Sequence, residues 1–220
     1  MVKRTLFFSN PCRLTLKNCQ LVVENHETGE TRTVPIEDIG VVLIENQMVS
    51  VTVPALNALT ENNCAVVFCD SRHMPVSMLM NLDSNSVQAE TYRYQQDASA
   101  PMKKILWKQV IESKIRNQSR LLSELGKDGE MLKPLYSNVK SGDSDNREGL
   151  AARIYWNALF GDGFLRSRDG GDPNAMLNYG YAILRAAMTR AIMGSGLFPA
   201  FGLFHKNRYN AFPLSDISTS

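Results

Sequence analysis

The sequence predicts an α+β fold: a small β-rich N-terminal domain over residues 1–80, a connector over 81–99 and a larger α-helical C-terminal domain over 100–220. Three observations carry this. Short runs of β-branched and apolar residues, separated by turn formers, fill the first 80 residues. From about residue 100 the apolar period lengthens to that of a helix. Charge divides along the same line: residues 1–80 hold six Lys/Arg against eight Asp/Glu, and the remainder eighteen against fourteen.

The strand runs are "RTLFFS", "RLTLKNCQLVVEN", "TRTVPI", "GVVLIEN" and "AVVF", with "ENHETGET" as a connecting turn. "LTLKNCQLVV" reads as a hairpin around Lys17–Asn18. One helix interrupts the strands. "VPALNALTENN" has Pro54 in its first turn and an apolar face of Leu56, Ala58 and Leu59. Cys64, Cys69 and His73 have spacings loosely like a zinc site. However, positions 64 and 69 are an odd number apart on an expected strand, so they face opposite ways and read as buried, inert thiols.

In the second part, "APMKKILWKQVIESKIRNQSRLL" is a long amphipathic helix with apolar positions at 102, 105, 106, 110, 115, 121 and 122. Its other face is assigned Lys103, Lys104, Lys108, Lys114, Arg116 and Arg120 against Glu112. Such a face is either solvated or a surface for polyphosphate. "KDGEMLKPLYSNVKSGDSDNRE" is a loop with one short helix. "REGLAARIYWNALFG" is a second long helix stopped by Gly161. "DPNAMLNYGYAILRAAMTRAIMG" is a third, with Asp172 as N-cap, Pro173 at the first position and Gly194 as its stop.

Bulk properties exclude more than they assign. Hydrophobic content of 44%, charged content of 21% and a net charge of +2 are those of an ordinary globular chain. "MVKRTLFFSN" turns polar too soon for a secretory signal. No apolar stretch approaches the roughly 20 residues of a membrane span. Four cysteines make no disulfide framework, so the expected compartment is a reducing cytoplasm. There is no G-x-S-x-G elbow, no G-x-x-x-x-G-K-[ST] phosphate loop and no G-x-G-x-x-G opening a helix.

Three residues stand out for chemistry. Glu148 opens the second long helix and shares the stripe of Ala151 and Tyr155. A carboxylate there must be paired, hydrogen-bonded or metal-bound. Asp145 and Glu148 also have the spacing of a capping box, so cap and ligand both stand open. His205, in "GLFHKNRYNAFPLSD", is a packed core histidine, a proton carrier or a metal ligand, and Asp216 follows it. Two acids and an imidazole suit Mg²⁺ or Mn²⁺.

The ordered series E-G-x-A-A-R in "REGLAARIYWNALFG", N-Y-G-Y-x-x-L in "NAMLNYGYAILRAAMTRAI" and G-x-x-H-x-x-x-x-N-x-F-x-L in "GLFPAFGLFHKNRYNAFPLSD" closely resembles the CRISPR-associated spacer integrases. These are the larger of the two universal CRISPR adaptation proteins. "LDSNSVQAETYRYQQDASAPMKKILWKQVIESKIRNQSRLL" resembles the type II version. The resemblance implies a β-sandwich-like first domain and a helical catalytic and DNA-binding second one. It implies a cytoplasmic homodimer that assembles with the small second adaptation subunit and acts on double-stranded DNA, with no membrane. The implied reaction joins the 3′-hydroxyl ends of short spacer DNA to the CRISPR repeat, together with DNA endonuclease activity. Glu148 and His205 match the family's first and second metal ligands, and Asp216 the first acid of the run that supplies the third. The family continues past that acid with a second acid and a helical segment. Here "ISTS" follows, so part of the helical domain is expected to be missing.

Joining a hydroxyl to a phosphodiester makes one P–O bond and breaks another, so it needs no nucleotide hydrolysis, which agrees with the missing phosphate loop. Lys206 and Arg208 either neutralise phosphate beside the metal or are solvated. Arg93, Lys103, Lys104, Lys108, Lys114 and Arg116 are expected to contact the DNA backbone with little sequence reading. Tyr92, Tyr94 and Trp107 either stack on splayed bases or pack in the core. Two rival functions remain: a metal-dependent nuclease or junction resolvase, and a non-catalytic DNA-binding scaffold.

Overall fold

The computed structural model describes residues 3–81, 83–167, 170–203 and 210–218, with the backbone alone at 217 and 218. It has a strand-rich N-terminal region and a helical C-terminal region, an α+β arrangement. The chain up to Tyr92 together with Asn178–Pro199 forms one compact unit. Arg93–Leu177 with Ala200–Ser218 forms the other.

The strand-rich unit holds β1 (Arg4–Phe8), β2 (Cys12–Lys17), β3 (Gln20–Asn25), β4 (Thr31–Pro35), β5 (Ile39–Ile44), β6 (Ser50–Val51), β7 (Ala65–Cys69) and β8 (Pro75–Leu79), with helix α1 (Val53–Glu61) between β6 and β7. They form two four-stranded sheets, ordered β1-β5-β7-β8 and β4-β3-β2-β6. Strands β2 and β3 form the expected hairpin, with Leu16 opposite Leu21 and Lys17 opposite Gln20. Its loop is Asn18–Cys19, both at positive φ (49° and 57°), the left-handed pair whose twist matches a two-residue hairpin. In the other sheet β1, β5 and β7 run parallel and β8 closes it antiparallel. A parallel central strand is covered on both faces, which explains why "IGVVLI" is apolar throughout and wholly buried.

Alternation along β5 and β7 sorts their side chains into two cores. Val42, Ile44 and Val66 join Leu14, Leu21, Ala55 and Leu59. Val41, Leu43, Val67 and Cys69 join Tyr179, Ile183, Ala186 and Ala187. Residues 178–199 therefore group with the strands because this second face needs an apolar cover. The linear partition read from the sequence had no means of showing that.

Cys64 lies in the first core and Cys69 in the second, on opposite faces as the odd spacing predicts. Burial pushes the Cys64 thiol up to about 12 and the Cys69 thiol up to about 11, and it raises Cys12 as well. Of the four cysteines only Cys19 is exposed. At pH 8 a thiol-specific reagent is therefore expected to label one cysteine in the native protein, Cys19, and four after denaturation. Rapid labelling of a second would mean that the sheet faces are not sealed.

In the other unit, α3 (Ala100–Glu124) starts at Ser99, whose side chain accepts a 3.4 Å hydrogen bond from the Met102 amide. Helix α2 (Gln88–Asp97) precedes it, inside the stretch expected to be a connector. The buried stripe of α3 is Trp107, Ile111, Ile115, Ser119 and Leu122. Met102, Ile105 and Leu121, assigned to that stripe from the sequence, are exposed. The stripe packs against Leu132, Leu135, Val139, Ala151 and Tyr155, drawn from the short helix α4 (Lys133–Tyr136), the segments beside it and α5 (Arg147–Phe160). α5 ends at Gly161, at φ 102°.

Helix α6 (Asn174–Gly194) begins one residue past Pro173 and stops at Gly194. Asn174, rather than Asp172, organises its start. Its Oδ1 accepts from the Ser167 amide at 3.0 Å and its Nδ2 donates to the Leu165 carbonyl at 3.0 Å. At the other end the Met193 and Gly194 carbonyls accept from Ser84 Oγ (2.7 Å) and Asn85 Nδ2 (3.3 Å).

Candidate active site

The segment leading into α5 places Glu148. Gly142, Asp143 and Asn146 all take positive φ (70°, 49° and 53°), which curls the chain tightly before the helix. The curl brings the Asp143 carboxylate under the helix start. There Oδ1 accepts from the Arg147 amide at 2.8 Å and Oδ2 from the Glu148 amide at 3.1 Å. The Asn146 side chain, at the N-cap, accepts from the Gly149 amide at 3.2 Å. Three orphan donors of the first turn are thus satisfied by two side chains.

This differs from the capping box expected between Asp145 and Glu148. With Asn146 as N-cap, Glu148 is the second helical residue and not the third, so it cannot reach back across the turn. Asp145 instead accepts from Arg147 Nε at 2.9 Å, with Lys140 at 3.7 Å. The Arg147 guanidinium beside it holds the Asp145 carboxyl below its usual range.

Relieved of capping, Glu148 turns toward α3. Its Oε1 accepts a 2.5 Å charge-assisted hydrogen bond from Lys114 Nζ. Both side chains are largely withdrawn from water, Lys114 at 12% and Glu148 at 19% exposure. Lys114 therefore does not lie on the outward basic face to which the sequence assigned it. It sits seven residues, two helical turns, after Trp107 and three after Ile111, which puts it at the margin of the buried stripe. The N-terminal end of α5, where partial positive charge collects, adds a second favourable term for the carboxylate.

Lys104 and Arg116 are exposed on α3, and Arg93 is exposed on α2. Lys103 is half-buried, and Lys108 lies 3.6 Å from Glu112. The Arg116 guanidinium stands 5.2 Å from the Tyr136 ring centre. Trp107 is a core residue, Tyr92 packs on Phe198 at 5.1 Å, and Tyr94 is exposed. Met176 and Met188 are exposed, at 72% and 37%, whereas Met193 is buried.

Asp216 lies in the 3₁₀ turn Ser215–Ser218, half-buried, its amide donating to the Phe212 carbonyl at 3.0 Å. His205, Lys206 and Arg208 lie outside the described residues. Among the described residues no three His, Cys, Asp or Glu side chains group to hold a metal ion. What the structure does contain at Glu148 is a carboxylate already bound to a cation in a mostly dry setting, with the Lys114 ammonium as stand-in. Such an oxygen donor fits a hard divalent ion.

Sequence reasoning missed Asp143 and Asn146 as the residues that release Glu148, although "GDSDN" immediately before a helix is the available signal. It also missed Lys114 as the partner of Glu148.

The family described as CRISPR associated protein Cas1 matches residues 6–217. A CRISPR-associated endonuclease Cas1 of Neisseria meningitidis serogroup C is 40% identical over 218 residues, covering 98% of this chain and 71% of that protein. A solved Cas1 protein from Thermotoga maritima superposes with a TM-score of 0.73 at 17% identity, covering 97% of this chain and 72% of that one. A casposase bound to integration product gives 0.72 at 21% identity, covering 99% and 68%. These two structures share the fold.

Proposed function

The chain belongs to the Cas1 family of CRISPR-associated proteins, and from that premise we propose that it is a divalent-metal-dependent DNA endonuclease and integrase of CRISPR adaptation. The reaction joins the 3′-hydroxyl ends of short spacer DNA to the CRISPR repeat. The observation that supports this most directly is Glu148. Its carboxylate is preset by Asp143 and Asn146 at a helix start, mostly buried and bound to a cation instead of capping its own helix.

Glu148, His205 and Asp216 are the residues that would hold the metal, Mg²⁺ or Mn²⁺. When bound, such an ion lowers the pKa of the attacking hydroxyl and offsets charge on the phosphorus and the leaving oxygen. The chain's own contribution is positional. Asp143 and Asn146 fix the first turn of α5, and the turn fixes Glu148, whose carboxylate is mostly withdrawn from water. The 3′-hydroxyl oxygen bonds to phosphorus as the scissile P–O bond breaks, the proton leaves the nucleophile, and the departing oxygen is protonated. Water in place of the hydroxyl would turn the same centre into a nuclease, in keeping with the endonuclease name of the Neisseria relative.

Exposed Arg93, Lys104 and Arg116, with Lys103, Lys108, Lys206 and Arg208, would contact phosphates. The partners are double-stranded DNA, a second copy of the chain and the small second adaptation subunit. No described helix is long and apolar enough to cross a membrane, and the proposed compartment is the cytoplasm. The test is to supply the protein with Mn²⁺, a 3′-hydroxyl DNA duplex and a supercoiled plasmid carrying a leader and repeat. Branched joint products are expected. Nicked or linear plasmid without joints would leave a nuclease, and an unchanged plasmid would leave a scaffold.

A further inference from the structure

We propose that Lys114 is the resident counter-ion of Glu148: a positioning residue that holds the carboxylate in place in the metal-free protein and must yield for a divalent cation to bind. The inference rests on the reading of Glu148 as a metal ligand.

The argument starts from burial. Glu148 is 19% exposed and Lys114 12%, so neither charge is adequately solvated alone, and each is held by the other at 2.5 Å. The two come from elements that α3 and α5 pack together through Ile111, Ile115, Ala151 and Tyr155. The pairing is therefore built into the core and not made by two free surface chains. Lysine suits the role. Its ammonium is a point charge on a four-carbon stem, which can withdraw without disturbing the helix that carries it. The first turn of α5 keeps its own caps, Asp143 and Asn146, so the carboxylate is not needed there when its partner changes.

A cation that occupies the carboxylate competes with any second one. Lys114 therefore lowers divalent affinity while preserving the geometry of the empty site, and the separation between the two effects can be measured without DNA. Lys114→Met keeps most of the apolar stem and removes the charge. Titrated with Mn²⁺ and followed by electron paramagnetic resonance of the free ion, this variant is expected to bind at least about tenfold more tightly than wild type. A unit positive charge no longer stands on the order of 4 Å from a dication. In EDTA the same variant is expected to melt several degrees below wild type, because Glu148 is left buried without a partner, and added Mn²⁺ is expected to close most of that gap.

Lys114→Arg, which keeps the charge and grips a carboxylate with two donors, covers the case in which the Met variant does not fold without metal. Its Mn²⁺ affinity is expected at or below that of wild type. Equal or weaker Mn²⁺ binding by Lys114→Met, a melting deficit that Mn²⁺ leaves unchanged, or tighter binding by Lys114→Arg would overturn the proposal. Mn²⁺ binding that Glu148→Gln leaves at the wild-type level is a separate failure: it removes Glu148 as a ligand, and the inference with it.

Discussion

Replacing Glu148 with glutamine is expected to reduce DNA joining and cleavage on the order of a thousandfold, while affinity for duplex DNA stays within about twofold. Glutamine keeps the shape and one acceptor oxygen but removes the charge that a divalent ion requires. A metal ion stabilises several kcal/mol of developing charge, and each ~1.4 kcal/mol corresponds to a factor of ten in rate. The substitution also removes the charge that faces Lys114, whose side chain is 12% exposed. Breaking one partner of a buried pair costs about 3 kcal/mol, so the variant should melt earlier as well. Stability and chemistry separate in the assay at 25 °C: circular dichroism should report a folded variant that still shifts labelled duplex in a gel, yet forms no joint products. Joining at a tenth of the wild-type rate or better would remove Glu148 from the reaction centre.

The second large effect is expected where the chain folds back on α3. Gly129 sits where the segment after α3 folds back on it. A Cβ at this position would lie 2.1 Å from the Ser119 carbonyl oxygen and 2.4 Å from Ser123 Oγ. Ser119 Oγ donates to the Gly129 carbonyl at 2.8 Å, which fixes the approach. The backbone angles of Gly129 are ordinary (φ −79°, ψ −23°), so the need for glycine is one of space and not of conformation. Helical backbone cannot move aside as a side chain can. Gly129→Ala is therefore expected to destabilise the protein by about 3 kcal/mol, a fall in melting temperature of roughly 6–12 °C for a chain of this size. Urea denaturation monitored by tryptophan fluorescence would measure it, since Trp107 lies in the same core. A loss under about 1 kcal/mol would mean that this segment does not press on α3.

Local signals in the chain account for most of the elements. Alternation made the first hairpin legible, although its turn reads as Lys17–Asn18 in the sequence and lies one residue later, at Asn18–Cys19, in the structure; Gly161 and Gly194 stop their helices where expected. What local reading could not reach was pairing at a distance. "PVSML" carries little periodicity, and it is a strand because β7 offers it an edge. The inward stripe of α3 was displaced because it includes Ser119, a serine made tolerable in the core by its bond to Gly129, whereas Ile105 and Leu121 look inward and are exposed. Glu148 was legible as a carboxylate on a core-facing stripe. Its partner was not, since a lysine between charged neighbours reads as solvated until the packing of α3 against α5 turns it in.

The residues of α6 that cover Val41, Leu43, Val67 and Cys69 are made long after those strands. On the ribosome the nascent β-sheet therefore waits, one side bare, while the whole of the helical unit's main segment is synthesised. A recombinant fragment stopped at Tyr92 keeps that greasy side permanently, which makes it a poor choice for dissecting the protein and a natural client for a chaperone.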